Sequence, residues 1–267
     1  MNQILVLIKG AGDLATGVAH RLFRAGFRVL MTELAQPTVI RRTVSFAEAI
    51  YTGENNVEGI SARVATEDNW QEVLAQAKVP VLVDPEAKII GQAKPEVVID
   101  AIIAKKNLGT NPRLAPVVIA LGPGFSAPED AHAVIETQRG HDLGRVIYRG
   151  QALPNTGVPG EIGGKSWERV LRAPRDGVFQ SQAQIGDFVQ AGQVVGHVEG
   201  VPVSSLLTGY LRGILRDGLE VHEGMKIGDV DPRAEKSHCF TISDKARALG
   251  GAVLEAMLYL LRQQGVL

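Results

Sequence analysis

Gly10, Gly12 and Ala15 stand at the spacing of a phosphate-binding turn. They lie between an apolar run, Ile4-Leu-Val-Leu-Ile8, and a helix-periodic stretch that carries Asp13 and Leu14 and ends at Gly26. In such a turn Gly10 makes the tight bend, Gly12 lets the backbone approach a pyrophosphate, and the small Ala15 lets helix pack on strand. The helix N-terminus, at Asp13 and Leu14, then faces the phosphate. Arg28 to Glu33 reads as a second strand, and Glu33 follows Gly10 by 23 positions (33 − 10), close to where a ribose-binding acid is expected. The same glycines would equally serve a bare turn with nothing bound.

Four further stretches carry residue types that can do chemistry. Gly122-Pro-Gly124-Phe-Ser-Ala127 follows the apolar run Val117 to Leu121, so its amides could form an anion-binding nest beside Gly10 and Gly12, or a plain turn. Arg139, His141 and Arg145 crowd one polar loop and could hold a phosphate or carboxylate, or make ordinary loop salt bridges. Arg41 and Arg42 could meet a phosphate or simply be solvated. Asp231, Arg233, His238 and Cys239 place acid, cation, imidazole and thiol within a short span. A metal site, an activated thiol, or a thiol that receives sulfur or selenium all suit such a set. Adjacent His238 and Cys239 make a poor zinc framework without a Cys-x-x-Cys, so no metal is expected. A thiol beside His and Arg can be stabilised as thiolate, whereas a free Cys before Phe240 also suits a core. His141, His238 and Cys239 are thus the catalytic candidates.

The elements that must position these groups follow from hydrophobic pattern. Val57 to Val64, Pro80 to Asp84, Val97 to Asp100, Val117 to Gly122 and Ala133 to Glu136 read as strands; Phe46 to Tyr51 and Glu67 to Gln76 read as helices. Alternation of apolar strands with helices predicts a parallel α/β sheet, Rossmann-like, with ligands at the carboxyl ends of its strands. Ile242 to Arg262 reads as a long closing helix capped by Ser243 or Asp244, with Leu249, Val253, Met257 and Leu260 at helical spacing.

At 267 residues the chain can bury a sizeable core. Charged residues make up 21% and the net charge is −1, so no nucleic-acid surface is advertised. No apolar run approaches the roughly 20 residues of a membrane-spanning helix. No basic segment followed by a long apolar one opens the chain, so a secretory leader is not expected. The single Cys239 excludes an intrachain disulfide, and a cytoplasmic protein is expected.

Glycine register exposes an internal repeat. Gly177, Gly186, Val189, Gly192 and Gly196 recur 32 positions later as Gly209, Gly218, Val221, Gly224 and Gly228, which predicts two intertwined hairpin halves. Over roughly Ala173 to Val230 this pattern resembles the biotinyl/lipoyl-type barrel-sandwich hybrid. Carrier members place a modifiable Lys on the hairpin between halves; here that junction reads Glu199-Gly-Val-Pro-Val-Ser-Ser205, so no biotin or lipoyl group is expected. The expected organisation is a Rossmann-like nucleotide-binding domain over 1–165, a barrel-sandwich-hybrid-like domain over 166–232, and a C-terminal tail and helix over 233–267 that packs on the first domain.

Several stretches together resemble one bacterial family: Ile8-Lys-Gly-Ala-Gly-Asp-Leu-Ala-Thr-Gly17, Leu121-Gly-Pro-Gly-Phe125, Val134-Ile-Glu-Thr-Gln-Arg-Gly-His141, Pro154-Asn-Thr-Gly-Val-Pro-Gly160, Asp229-Val-Asp-Pro-Arg233 and Cys239-Phe-Thr-Ile-Ser-Asp-Lys245. The chain resembles the selenium-dependent molybdenum hydroxylase accessory proteins of the YqeB type, over nearly its whole length. The resemblance implies a maturation factor whose partner is a client molybdenum hydroxylase of the xanthine dehydrogenase kind. Its ligand would be a dinucleotide such as NAD or a molybdopterin dinucleotide, whose pyrophosphate suits the Gly10–Gly12 turn. The alternatives are an NAD(P)-dependent oxidoreductase with a small substrate, for which Glu33 would favour NAD, and a non-catalytic scaffold. A homo-oligomer is compatible with each.

Overall fold

The structure, a computed structural model, describes residues 3–267 and divides into two compact units. Unit 1 comprises Met1–Pro37, Ser45–Thr156 and Ile242–Leu267; unit 2 comprises Thr38–Val44 and Gly157–Thr241. Among the described residues no helix is long and apolar enough to cross a membrane.

Unit 1 is built on a mixed nine-stranded sheet. Its first half runs β1 (Leu5–Lys9), α1 (Asp13–Arg24), β2 (Arg28–Glu33), α2 (Ala49–Thr52), β3 (Glu54–Val57), β4 (Ile60–Ala65), α3 (Trp70–Ala75) and β5 (Val79–Val83). Then come α4 (Ile90–Ala93), β6 (Val97–Asp100), β7 (Val117–Leu121), β8 (Ser126–Ala127), β9 (Ala133–Ile135), β10 (Val146–Ile147) and β11 (Gly150–Gln151). The strand order is β10-β9-β7-β6-β1-β2-β5-β4-β3, with β8 and β11 paired separately. β1 is parallel to both neighbours, β2 and β6, while the edge pairs β3/β4 and β9/β10 are antiparallel. Val6, Leu7, Ile8, Val29, Leu30 and Met31 are wholly inaccessible, which is why these strands read as unbroken apolar runs. The chain winds outward from β1 in both directions. β1 and β6 therefore flank the point at which the strand order changes direction, the place where open α/β sheets bind ligands.

Three sequence expectations are adjusted here. The strand expected over 57–64 is the hairpin β3/β4, reversed at Glu58 and Gly59 with φ of 46° and 85°. Positive φ at both turn residues is the type I′ geometry that matches strand twist. The helix expected from Glu67 starts only at Trp70, because the Asn69 side chain accepts from Thr66 N and holds 66–69 as a turn. No helix joins β6 to β7; residues 101–116 form a loop with a single 3-10 turn at Pro112–Leu114.

In unit 2, β12 (Val170–Arg172), β13 (Gly177–Ser181), β14 (Phe188–Val189), β15 (Val194–Val198), β16 (Val201–Ser204), β17 (Gly209–Ile214), β18 (Glu220–Val221) and β19 (Lys226–Asp231) form two four-stranded antiparallel sheets. Their orders are β12-β19-β17-β14 and β16-β15-β13-β18. The glycine repeat has a structural meaning: each half pairs its short strand with the long strand of the other. Gly177 pairs with Val221 and Gly209 with Val189, while Gly186 N donates to Leu211 O and Gly218 N to Phe179 O. The junction is a tight turn at Glu199-Gly200, φ 47° and 77°, between β15 and β16.

The unit boundaries fall at 157 and 242 rather than at 166 and 233, and unit 2 takes in 38–44 from far upstream. The reason is hydrogen bonding. Ile214 N donates to Ile40 O, Arg41 NH2 donates to the carbonyls of His238 and Thr241, and Thr43 Oγ1 to that of Cys239. The tail that returns to unit 1 is α5 (Asp244–Gln263), with Ser243 Oγ capping Ala246 N. α5 and α1 meet almost backbone to backbone: a Cβ added at Gly17 would stand 2.6 Å from that of Ala246, and one at Gly250 would stand 2.8 Å from Gly17 O.

Candidate functional site

The turn after β1 is fixed from every side. Gly10 adopts φ +89° and donates to Thr32 O on β2. A side chain there would meet the backbone of Ala101 and Ile102 at 3.2 Å, so both conformation and close approach require glycine. Ala11 O accepts from Ser45 Oγ (2.9 Å), Thr16 Oγ1 (3.2 Å) and Ala47 N (2.9 Å), and Thr16 Oγ1 in turn accepts from Phe46 N. Gly12 is the extended N-cap of α1 and supplies no side-chain capping bond. A twelve-residue helix thus begins immediately after two glycines, without a side-chain cap from its N-cap residue. Such a start favours an anion. Ala15 is buried against the sheet, and Asp13 and Leu14 are half-buried beside the turn.

Glu33 reaches back to this turn. Its Oε2 accepts from Ala11 N and its Oε1 from Leu34 N, both at 2.8 Å. The residue expected to hold a ribose is therefore also the brace that shapes the glycine turn. Each carboxylate oxygen keeps acceptor capacity beyond its one backbone partner.

The loop after β6 ties the two glycine stretches together. Its Ala101 and Ile102 lie against Gly10, while a side chain at Gly124 would stand 2.6 Å from Lys106 Cα. Gly122, at φ +83°, packs on the Thr137 hydroxyl. Ile103 and Lys105 in this loop have φ of 59° and 62°. A β-branched residue in the left-handed region is strained, and such strain persists where the surroundings hold it.

The ends of this loop carry a network that sequence reading missed. Lys9 Nζ donates to Asp100 Oδ2 (3.1 Å) and Thr110 Oγ1 (2.6 Å), and Thr110 Oγ1 donates to the same Asp100 oxygen (2.5 Å). Asp100 Oδ1 also accepts from Ile102 N. All three side chains are buried. The available signal was Lys9 closing the first apolar run and Asp100 closing the run from Val97, at the ends of what prove to be adjacent strands.

The other candidates lie elsewhere. His141 is exposed on its loop, where Arg139 grips Asp244 (2.7 and 2.8 Å) and Arg145 pairs with Asp142 (3.3 Å), so these cations make loop salt bridges. Arg41 is buried and Arg42 half-buried in unit 2, where both bond backbone carbonyls. His238 and Cys239 belong to unit 2 as well. Asp231 there is fully buried, bonded by Arg233 at 2.6 and 2.9 Å and flanked by Arg212 (3.6 Å) and His238 Nδ1 (3.8 Å). Among the described residues no group of three or more His, Cys, Asp or Glu could hold a metal ion.

Cys239 is inaccessible, with Sγ 3.8 Å from Leu211 O. Burial pushes its thiol up, against the opposing pull of Arg212 and Arg41, so the protonated form dominates at neutral pH. Iodoacetamide should therefore label the native chain at least about 100-fold more slowly than the urea-unfolded chain. Labelling of native Cys239 at the unfolded rate would restore it as a reactive thiol.

No protein-family model matches the chain. It is similar to uncharacterized protein YqeB of Escherichia coli (strain K12), 52% identical over 260 residues that cover 97% of this chain and 48% of that protein. The chain thus spans about half the length of the curated relative it matches. Among solved structures, an aspartoacylase family protein from Mesorhizobium loti aligns over 85% of this chain and 84% of its own, at 15% identity and a TM-score of 0.27. The ectoine utilization protein EutE (DoeB) from Ruegeria pomeroyi aligns over 85% of each chain, at 13% identity and the same TM-score. Likenesses at this level carry no argument about fold or function.

Proposed function

We propose that this chain, a relative of YqeB matching about half of that protein, is a maturation factor for a selenium-dependent molybdenum hydroxylase. In this reading it holds a nucleotide-containing cofactor at the Gly10–Gly12 turn. The observation that carries the binding half is the rigid double-glycine turn opening onto α1, which lacks a side-chain cap, where the strand order reverses on either side of β1. That arrangement supports a Rossmann-like reading of unit 1. The client enzyme and its selenium come from the family resemblance of the motifs at 8–17, 121–125, 134–141, 154–160, 229–233 and 239–245.

In this reading the α1 amides take the pyrophosphate of a dinucleotide, molybdopterin dinucleotide or NAD, and Glu33 takes a ribose hydroxyl. The chain works in the cytoplasm, and unit 2 acts as a docking platform. Its two sheets with exchanged strands suit a barrel-sandwich arrangement without a carried group, because the Glu199-Gly200 hairpin offers no lysine.

The test is purification from a native host under gentle conditions, with mass spectrometry of released small molecules, of the intact chain and of bound proteins. A pterin or nucleotide and a molybdenum hydroxylase in the same fraction are expected, with an unmodified chain mass. A covalent adduct on the chain, or a ligand-free protein with no hydroxylase, would contradict the reading.

A further inference from the structure

A second site is built at the other end of α1. A cavity of about 260 Å³ within unit 1 is lined by His20, Arg21, Arg24, Glu58, Ile242 and Arg247, among others. Three guanidinium groups meet one carboxylate there, a local charge of +2 (3 − 1) with His20 neutral. The excess is not balanced from outside the cavity: neither Arg21 nor Arg24 forms an ion pair with a carboxylate among the described residues. Their place in the last turn of α1 suits the helix dipole.

Arg247 has no such explanation. It stands in the first turns of α5, where the dipole disfavours a cation. Glu58 holds it there through NH2 alone, at 2.6 and 2.8 Å, leaving Nε and NH1 without a partner among the described residues. Glu58 itself occupies a left-handed turn position that Asn or Gly would favour, at φ 46°. Bonds to Arg247 and Ile242 N fix it in that conformation. His20 Nε2 lies 3.4 Å from Glu58 O. Burial, with the charges of Arg24 and Arg247, holds the imidazole below its ordinary range, against the pull of Glu58.

We infer that this cavity binds a phosphate-type dianion, either inorganic phosphate or the phosphoryl end of a monoester, through Arg21, Arg24 and the open edge of Arg247. Guanidinium groups offer paired N–H donors that match such an anion, and two spare positive charges match its charge. His20 forms the wall and reports occupancy. The inference is independent of the nucleotide reading, which concerns the opposite end of the helix.

The test uses the full chain and the His20 ring signals in NMR, assigned with His20→Gln. Sodium phosphate and glycerol phosphate are titrated at pH 7 against sodium chloride of equal ionic strength. Phosphate should shift the His20 signals saturably, with a dissociation constant on the order of 1 mM. Arg24→Gln should weaken binding about tenfold. Arg28→Gln, at an exposed position at the start of β2 outside the cavity, should leave it unchanged. Saturation by phosphate alone identifies the free ion as ligand, and saturation by both identifies a phosphoryl group. No shift beyond the chloride control, or equal weakening by Arg24→Gln and Arg28→Gln, would overturn the site.

Discussion

Replacing Lys9 by Met is expected to destabilise the protein by about 3–5 kcal/mol, because it strands a buried carboxylate. The side chains of Lys9 and Asp100 are 6% and 2% exposed, so neither charge can turn to water when its partner goes. Thr110 and Ile102 N would remain as Asp100's donors, too few to replace an ammonium at 3.1 Å. Urea denaturation should show a lower midpoint with an unchanged slope, the signature of a change in stability alone. Adding Asp100→Leu should recover most of the loss, since an apolar pair of similar size often replaces a buried ion pair with little penalty. Recovery should stop short of completion, because the Thr110 hydroxyl would lose both side-chain partners. A Lys9→Met protein within about 1 kcal/mol of the parent would show that the pair behaves like a surface salt bridge.

Asp231→Asn should destabilise the protein by about 3 kcal/mol, with the loss confined to conditions above acid pH. Burial opposes ionisation of Asp231, yet the Arg233 hydrogen bonds and the Arg212 charge outweigh it and hold the carboxyl below its ordinary value of 3.8. The sign follows from linkage. A carboxyl whose folded value is depressed binds more protons unfolded than folded across the intervening range. Its contribution is then complete above about pH 4 and fades as pH falls through the folded value. Parent and variant should therefore differ at pH 7 and converge in strong acid, by urea midpoints followed across pH. A constant difference at every pH would show that the variant acts through shape rather than charge.

Much of this architecture is written in short-range signals. The β1–turn–α1 unit is legible because strand, glycines and helix are adjacent, and Ser243 announces α5 for the same reason. The 32-residue register is legible because glycine marks the corners of both halves of unit 2, although which strand pairs with which becomes visible only in the Gly177/Val221 and Gly209/Val189 pairs. What sequence cannot display is contact between distant segments. Lys9 and Asp100 are 91 positions apart, and Thr38–Val44 joins β17 across 172 positions and the 236–241 segment across 200. Cys239 shows the converse difficulty. Its charged neighbours in sequence suggest a reactive thiol, while burial beside Leu211 sets its chemistry.

The central claim is that the turn at Gly10–Gly12 receives a pyrophosphate. Calorimetric titration with NAD and with molybdopterin dinucleotide, on the parent chain and on Gly12→Asp, tests it most directly. On this claim a second acid beside Asp13 at the start of α1 would repel the pyrophosphate, so Gly12→Asp should abolish binding while far-UV circular dichroism stays unchanged. The account predicts saturable binding of at least one dinucleotide by the parent and none by Gly12→Asp. Equal binding by both proteins, or by neither, would contradict it.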